Sequence, residues 1–274
     1  MSLLKLTIQR VLIFGLGIFC VWLIVFVVFE TADQRLPWVL ALALTYGAAA
    51  YIILPRGVRM GLKILRRKRV PRYTVTGDGL PGDPVNLVLV GTMQQLKRAF
   101  AAAGWVEADR LSVASSWRMV RAFLLNSPYP TAPFSTLYLF GRGHDIGFQK
   151  AIDNSPRKRH HIRFWSSSLH EESAMDTADF WLNTDRPPDD ARALWVGAGT
   201  KDTGFSLTQL TFQITHATDS DTNVERDFIV SELKKSQVIG SVSSIKPGGV
   251  LPAERVNHYV TDGEIVMVNL IVDV

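Results

Sequence analysis

A chain of 274 residues, 47% of them hydrophobic, has room for a membrane segment and one folded domain. Its formal net charge of +5 is unevenly spread: residues 1–75 hold eleven Lys and Arg against two acids, and the rest hold 19 against 23. Because a nucleic-acid-binding domain normally presents a basic face, the mildly acidic remainder excludes nucleic acid as the expected partner. The single cysteine, Cys20, excludes a disulfide framework and a cysteine-based metal site.

The first predicted elements are two apolar runs without a charged residue, Val11 to Phe29 and Leu36 to Leu54. A helix of about 20 apolar residues crosses a bilayer core of about 30 Å. A cleaved signal peptide is the alternative for the first run, but its apolar region is usually only about 7–15 residues long. The sequence therefore predicts a transmembrane hairpin with a tight turn over residues 30–35.

Basic residues flank this hairpin on one side only. Lys5 and Arg10 precede it and eight Lys and Arg follow it between Arg56 and Arg72, whereas the turn has only Arg35. Since Lys and Arg near span ends stay on the cytoplasmic face, both termini are predicted to be cytoplasmic.

Residues 56–83 are predicted to form a basic juxtamembrane segment and a linker. Three apolar residues recur at helical spacing among the cations of residues 56–70, a pattern typical of an interfacial helix on anionic headgroups. The alternative is that these cations only fix the topology. The turn-forming stretch Gly77 to Pro84 reads as the linker, so the folded domain is expected at residues 84–274.

The folded domain opens with a strand and two helices. Val85 to Val90 is a strand candidate, and Thr92-Met-Gln-Gln95 matches a capping box before a helix that stops at Gly104. A second amphipathic helix runs from about Ser112 to Leu125. We expect these two helices to cover one face of a sheet.

Short apolar segments separated by turn formers predict six strands between residues 134 and 217. A further helix follows from Thr222 to about Lys235, with Thr222 and Glu225 as its capping box. Residues 258–274 read as a strand pair around a turn at Asp262-Gly263. The fold is therefore predicted to be α+β, with a mostly antiparallel sheet and about three helices on it.

One glycine-rich stretch is a false phosphate loop. Gly197 to Gly204 lacks the Gly-Lys-Ser/Thr ending, and a strand follows it where a nucleotide loop would lead into a helix. We reject a nucleotide-binding loop there.

Three polar clusters could carry chemistry, at residues 141–150, 156–165 and 215–227. Strand alternation directs His160 towards the core and His161, with its neighbour Arg163, to the other face. Arginines in the first two clusters could clamp a phosphate or a carboxylate. A solvated, ion-paired strand face explains these arginines equally well.

In the third cluster, His216 ends a predicted strand and acidic residues open the next helix. An imidazole with the carboxylates of Asp221 and Glu225 could form a divalent-metal or acid–base set. The alternative is structural, because acids such as Asp219 and Asp221 favour a helix N-terminus and Glu225 belongs to the capping box.

The motifs of these clusters are Phe140-Gly-Arg-Gly-His-Asp145 with Phe148-Gln149, Arg159-His-His-Ile-Arg-Phe-Trp165, Trp195-Val-Gly-Ala198 with Asp202, and Thr215-His216 leading to Asp221-x-x-x-Glu225-Arg-Asp227. With them the chain resembles the LssY C-terminal domain family over about residues 84–240. The resemblance implies a bacterial membrane setting and a polar site, without an established activity. The chain departs from longer members of that family because it has a two-helix anchor and no lipid-phosphatase motif.

These observations lead to three functional hypotheses. In the first, an inner-membrane protein with a cytoplasmic domain binds an anionic ligand or a membrane-protein partner, with an envelope or secretion context as one setting. The bilayer and its anionic headgroups would hold the juxtamembrane segment. Its predicted ligand-binding residues are Arg142, Gln149, Arg159, His161, Arg163 and Asp202.

The second hypothesis is a metal-assisted hydrolase of a phosphate ester or lipid headgroup. A divalent metal would be its cofactor, held by His216, Asp221 and Asp145, and His216, Glu225 and Asp145 would be catalytic. The third hypothesis is a docking scaffold without a pocket.

Overall fold

The computed structural model of the chain describes residues 3–65, 71–125, 127–153, 155, 158–167, 187–207, 211, 214–245, 254–256 and 259–272. It begins with two long helices. The first consists of α1 (Leu3–Trp22), a π-helical segment (Leu23–Phe29) and α2 (Glu30–Asp33), and the second of α3 (Trp38–Ala48), a π-helical segment (Ala49–Ile53) and α4 (Leu54–Leu65).

Both helices are long and apolar enough to cross a membrane. Within Thr7–Asp33 an 18-residue window reaches a mean hydropathy of 3.1, and within Trp38–Leu65 such a window reaches 1.7. Large apolar side chains such as Phe14 and Phe26 are exposed along the first helix. The predicted spans, residues 11–29 and 36–54, fall on these two helices, which confirms two apolar N-terminal helices.

The second helix contacts the folded domain at two heights. Lys63 of α4 is buried, and a Cβ atom built on Gly141 would lie 2.5 Å from the Lys63 Cγ. Closer to the N-terminus of this helix, the Tyr46 hydroxyl donates a hydrogen bond to the Thr211 carbonyl (2.6 Å). The domain therefore lies against this helix.

The folded domain contains the helices α5 (Met93–Ala102), α6 (Val113–Leu124) and α7 (Thr222–Lys235). Its strands are β1 (Tyr73–Val75), β2 (Pro81–Pro84), β3 (Leu87–Gly91), β4 (Val106–Glu107), β5 (Tyr138–Leu139), β6 (Arg142–Gly143), β7 (Ile146–Ala151), β8 (Arg159–Ser167), β9 (Ala193–Leu207), β10 (Ile214–Thr218), β11 (Ile239–Ile245), β12 (Glu254–Val256), β13 (Tyr259–Thr261) and β14 (Ile265–Leu270).

An eight-stranded sheet forms the centre of the domain. Its order is β11-β14-β3-β9-β8-β7-β4, and β10 pairs with β9. The pair β14–β3 is parallel and the others are antiparallel, which confirms the predicted mostly antiparallel sheet. A four-stranded sheet, in the order β2-β1-β5-β6, and the pair β12–β13 complete it.

Both faces of the central sheet are covered. On the helix face, residues of α5 and α7 such as Phe100 and Ile229 join Phe148 and Phe164 in one apolar core. On the opposite face, which we call the polar face, Leu139 of the small sheet packs in a second apolar cluster of β3, β8 and β9 residues. Buried charged side chains fill the rest of the polar face.

The Thr92–Gln95 capping box is present, whereas three other details differ from the sequence predictions. Helix α6 exposes the apolar stripe that was expected to cover the sheet, so a third helix on the sheet is not confirmed. Strands β13 and β14 belong to different sheets and do not pair with each other. Strands β1 and β2 occupy part of the segment that was predicted to be juxtamembrane segment and linker.

The false phosphate loop lies inside the continuous strand β9. Gly197 and Gly199 face Leu87 of β3 and Ile162 of β8, respectively, in regular antiparallel register. The rejection of a nucleotide-binding loop is therefore confirmed.

Candidate functional site

Strand β8 positions the polar side chains by simple alternation. Arg159, His161 and Arg163 reach buried charged partners, whereas His160 stacks on Phe228 of α7 at a ring distance of 4.1 Å. The predicted separation of the two adjacent histidines is confirmed.

The register of the flanking strands brings further predicted residues to the same place. Gln149 of β7 and Thr200 of β9 both lie opposite His161, and Asp202 lies opposite Arg159. Because paired residues of neighbouring strands point to the same face, these side chains meet. We call Asp83, Arg159, His161, Arg163 and Asp202 the buried network.

Arg159 is held on several sides. Its Nε donates to Asp202 Oδ2 (2.7 Å), and its Nη1 donates to Gln149 Oε1 (2.5 Å) and to the Ala132 carbonyl (3.2 Å). Its guanidinium also lies 4.9 Å from the ring centroid of Phe134. The orientation of this guanidinium is therefore fixed.

His161 lies between a carboxylate and a guanidinium. Its Nδ1 is 3.3 Å from Asp202 Oδ1, and its Nε2 is 2.8 Å from Arg163 Nη1 and 2.9 Å from Thr200 Oγ1. Because a guanidinium can only donate, Nε2 must accept, and the ring proton belongs on Nδ1, facing Asp202. We assign this tautomer from the hydrogen-bond partners.

Asp83 closes the other end of the buried network. Its Oδ2 accepts from Arg163 Nη1 (2.7 Å), and its Oδ1 accepts from the Tyr259 hydroxyl (2.7 Å). Burial, with the negative charge of Asp83, raises the pKa of Tyr259 well above its usual value. Tyr259 therefore stays protonated and acts as a donor to Asp83.

Arg142 and Asp145 form a separate cluster near the end of β8. Arg142 Nη2 donates to Asp145 Oδ2 (2.9 Å) and to Ser166 Oγ (2.8 Å), and the Ser166 backbone N–H donates to the same carboxylate oxygen (2.7 Å). The two charged residues therefore tie the segment after the β5–β6 turn to β8.

The charges of the buried network balance, with two arginines and two aspartates whose side chains are at most 8% exposed. When one partner of such a buried ion pair is lost, the other remains as an uncompensated buried charge, which destabilises the protein. The charges of the buried network are thus paired within the network. The ligand-binding role of Arg142, Gln149, Arg159, His161, Arg163 and Asp202 stays a prediction.

A small pocket reaches this network from the surface. Its volume is about 20 Å³, roughly the space of one water molecule. It is lined by Pro128, Tyr129, Pro130, Gln149, Ala151, Ser155 and Arg159.

Tyr129 is fixed at the rim of this pocket. Its hydroxyl donates to Asp109 Oδ2 (2.6 Å), and burial with this hydrogen bond raises the pKa of Tyr129 to about 12. The rim therefore presents a neutral phenol at neutral pH.

The residues predicted for metal binding and catalysis are not brought together in the described part of the chain. Glu225 Oε2 lies 2.8 Å from His160 Nδ1, whereas Asp145 contacts Ser166. His160 and Ser166 are six residues apart on β8, which is about 20 Å along an extended strand.

Asp221 caps helix α7. Its Oδ1 accepts from the backbone N–H groups of Asn223 (3.0 Å) and Val224 (3.2 Å), so Asp221 is the N-cap in place of the predicted Thr222. His216 lies in β10 opposite Phe205, and its side chain is outside the described residues. The metal and acid–base roles of His216, Asp221, Asp145 and Glu225 stay predictions.

Within the described ranges, no group of three or more His, Cys, Asp and Glu side chains has an arrangement that could hold a metal ion.

The sequence pattern did not reveal four members of the site. Asp83 lies in the turn-rich stretch that was predicted to be a linker, and Phe134, Thr200 and Tyr259 carry no distinctive motif. One signal was available for Asp83, because buried arginines on a strand require as many carboxylates. For Phe134 the signal was Gly147, a glycine inside a predicted strand. Any Cβ at this position would clash with the Phe134 ring.

Comparison with known proteins gives one match. No curated protein and no solved structure matches the chain. The sequence profile described as LssY C-terminus matches residues 67–265, which includes β1, β2 and the whole buried network. The chain therefore belongs to the LssY C-terminus family.

Proposed function

We propose that the chain is a bacterial inner-membrane protein whose folded domain, on the cytoplasmic side, binds the anionic group of a ligand or partner. Two long apolar helices support the membrane-anchored part of this proposal, and membership of the LssY C-terminus family is compatible with it. The excess of Lys and Arg outside the hairpin supports the orientation.

The observation that carries the binding proposal is the position of Arg159 at the pocket. Its guanidinium is already oriented by Asp202, Gln149 and Phe134, so binding an anion would not require ordering this side chain. Guanidinium groups suit carboxylate and phosphate oxygens. Because the pocket has room for about one water molecule, a single oxygen of the anionic group would reach Arg159, beneath Tyr129.

The balanced charge of the network sets the expected strength of this binding. A ligand oxygen competes with Asp202 for Arg159, so we expect modest affinity. Inorganic phosphate is a suitable probe, and thermal unfolding of the full chain in detergent at constant ionic strength is a suitable readout.

The matched variants are Ala151→Leu and Ala102→Leu. Ala151 lines the pocket without contributing to the ion pairs, whereas Ala102 is an exposed residue at the end of α5. We expect phosphate to raise the melting temperature of the wild type and of Ala102→Leu in a saturable manner, and to have no such effect on Ala151→Leu. An equal phosphate effect in all three proteins, or in none, would refute the proposed pocket.

The orientation has its own test. Two reporter enzymes are fused after Val274, one that is active only in the cytoplasm and one that is active only in the periplasm. We expect activity from the cytoplasmic reporter. Activity of the periplasmic reporter would reverse the proposed orientation without affecting the pocket.

One contact sets a condition on the membrane placement. Tyr46 lies 17 residues before Lys63, about 25 Å along a helix, and its hydroxyl contacts the Thr211 carbonyl. If this span crosses the bilayer, Thr211 enters it, where irregular backbone is tolerated only against protein or water. In a Cys20→Ser background, a crosslink between cysteines at 46 and 211 through a short bifunctional thiol reagent in native membranes would support this arrangement; its absence would place Thr211 away from the helix.

A further inference from the structure

Helix α6 is amphipathic, but its apolar side faces outwards. The large apolar residues Val113, Trp117, Val120 and Leu124 recur at helical spacing, and they are 90, 71, 40 and 74% exposed. In an ordinary domain this stripe would pack on the core. A contiguous exposed apolar surface of this kind usually marks an interaction site.

The rotation of α6 about its axis is fixed by small polar and apolar residues. The hydroxyl of Ser112 accepts from the Ser115 backbone N–H (3.1 Å), and the buried Ser115 hydroxyl donates to the Arg110 carbonyl (2.9 Å). Ala122 is buried on the same side. The outward direction of the apolar stripe therefore follows from the way the helix is held.

Cations flank the stripe. Arg110, Arg118 and Arg121 are exposed, and the sequence Val113–Leu124 contains no acidic residue. Arg118 is 3.3 Å from Asp109 but remains 61% exposed. An apolar stripe with Trp and flanking arginines has the composition of a helix that lies at a membrane interface beside anionic lipids.

The place of α6 in the chain agrees with a bilayer as its partner. The helix follows the edge strand β4, and residues 127–137 connect it to β5 across the polar face. The turn between β5 and β6 is the one that packs on Lys63 of α4. Helix α6 is thus connected, through residues 127–137, to the strand pair whose turn packs on α4.

We infer that α6 lies on the surface of the membrane, with its four large apolar side chains at the boundary of headgroups and acyl chains and its arginines among anionic headgroups. This inference rests on the proposed anchoring by the two long helices. It gives the domain a second attachment to the bilayer, at a depth of about 5–10 Å.

The test uses the full chain in lipid nanodiscs that contain phosphatidylglycerol and phosphatidylcholine. Single cysteines replace Trp117, Leu44 or Val224 in a Cys20→Ser background and carry a nitroxide label. Leu44 is an exposed residue of α3, and Val224 is an exposed apolar residue of α7. Collision with oxygen, which concentrates in lipid, is compared with collision with a water-soluble nickel chelate.

We expect the labels at 44 and 117 to favour oxygen and the label at 224 to favour nickel. A lipid pattern at 44 with an aqueous pattern at 117 would overturn the inference for α6 and leave the anchoring intact. An aqueous pattern at both positions would refute the anchoring as well. Low access to both reagents at 117, with spin–spin broadening, would identify a second copy of the chain as the partner and overturn the inference.

A charge variant tests the role of the lipid headgroups. A cation near an anionic membrane contributes roughly a fivefold gain in binding, so Arg121→Gln should lower the lipid-bound fraction of the label at 117 by up to about that factor. Lys234→Gln, an exposed cation of α7, should have no effect. Equal behaviour of both variants would overturn the assignment of Arg121 to anionic lipid.

Discussion

The helix face and the polar face of the central sheet are both buried, but they are filled by different chemistry. On the helix face, Phe100 stacks on Phe148 at 4.4 Å within an apolar core. On the polar face, the ion pairs Arg159–Asp202 and Arg163–Asp83 are buried to a similar degree. Burial on both faces of a strand therefore does not require apolar residues on both.

The largest expected loss of stability concerns the Arg159–Asp202 ion pair of the polar face. Asp202→Ala removes one partner of a buried pair and leaves Arg159 charged and buried. We expect a loss of about 3–5 kcal/mol in the free energy of unfolding, measured by urea unfolding of the full chain in detergent.

The control is the double variant Arg159→Met/Asp202→Leu. Because it removes both charges, it should recover much of the lost stability. A double variant as unstable as Asp202→Ala would show that the pair is required for its hydrogen bonds to Gln149 and Ala132, and would contradict the comparison of the two faces.

A slightly smaller loss is expected on the helix face. Leu89 of β3 is completely buried in the apolar core, and Leu89→Ala removes three carbon atoms there. We expect a loss of about 3 kcal/mol from lost burial and the resulting cavity, measured in the same urea experiment. Leu89→Met should cost less than about 1.5 kcal/mol, and equal losses for the two variants would argue against simple packing.

The smallest effect concerns a partly exposed pair on the helix face. Glu232 of α7 accepts from Lys150 (2.6 Å) and Lys235 (3.0 Å), and these hydrogen bonds lower the pKa of Glu232. Because the folded state lowers this pKa, the pair stabilises the protein above the ordinary value of 4.5 and loses its effect as the pH falls through the lowered pKa.

Glu232→Gln should therefore cost at most about 1 kcal/mol at neutral pH. Its difference from the wild type should shrink as the pH falls below 4.5. Glu107→Gln, at a pair whose side chains are about half exposed, serves as the control and should have almost no effect at either pH. A loss that is independent of pH would mean that Glu232 acts through packing.

The sequence predicted those features of the fold that depend on local patterns. Two charge-free runs identified the long helices, and alternation along β8 separated His160 from His161. The capping box at Thr92 also has a purely local origin, because its donors and acceptors are three residues apart. For the same reason the Gly197–Gly204 stretch could be rejected as a nucleotide loop.

The remaining features depend on contacts between distant parts of the chain. Asp83 joins Arg163 across 80 residues, so a turn-rich stretch concealed a member of the site. The pattern of α6 indicates an amphipathic helix but does not say what its apolar side meets. The N-cap is Asp221 in place of the predicted Thr222, because Thr222 is buried whereas the Asp221 carboxylate reaches the N–H groups that follow it.

The contact between Lys63 and the Phe140-Gly141 turn has a mechanical consequence. Both residues of this two-residue turn have positive φ values, 54° and 77°, and Gly141 has no side chain to hold α4 away. Helix α4 thus packs directly on this turn through Lys63. A change in the tilt of the second helix would therefore act on the β5–β6 turn, which leads into Arg142 of β6.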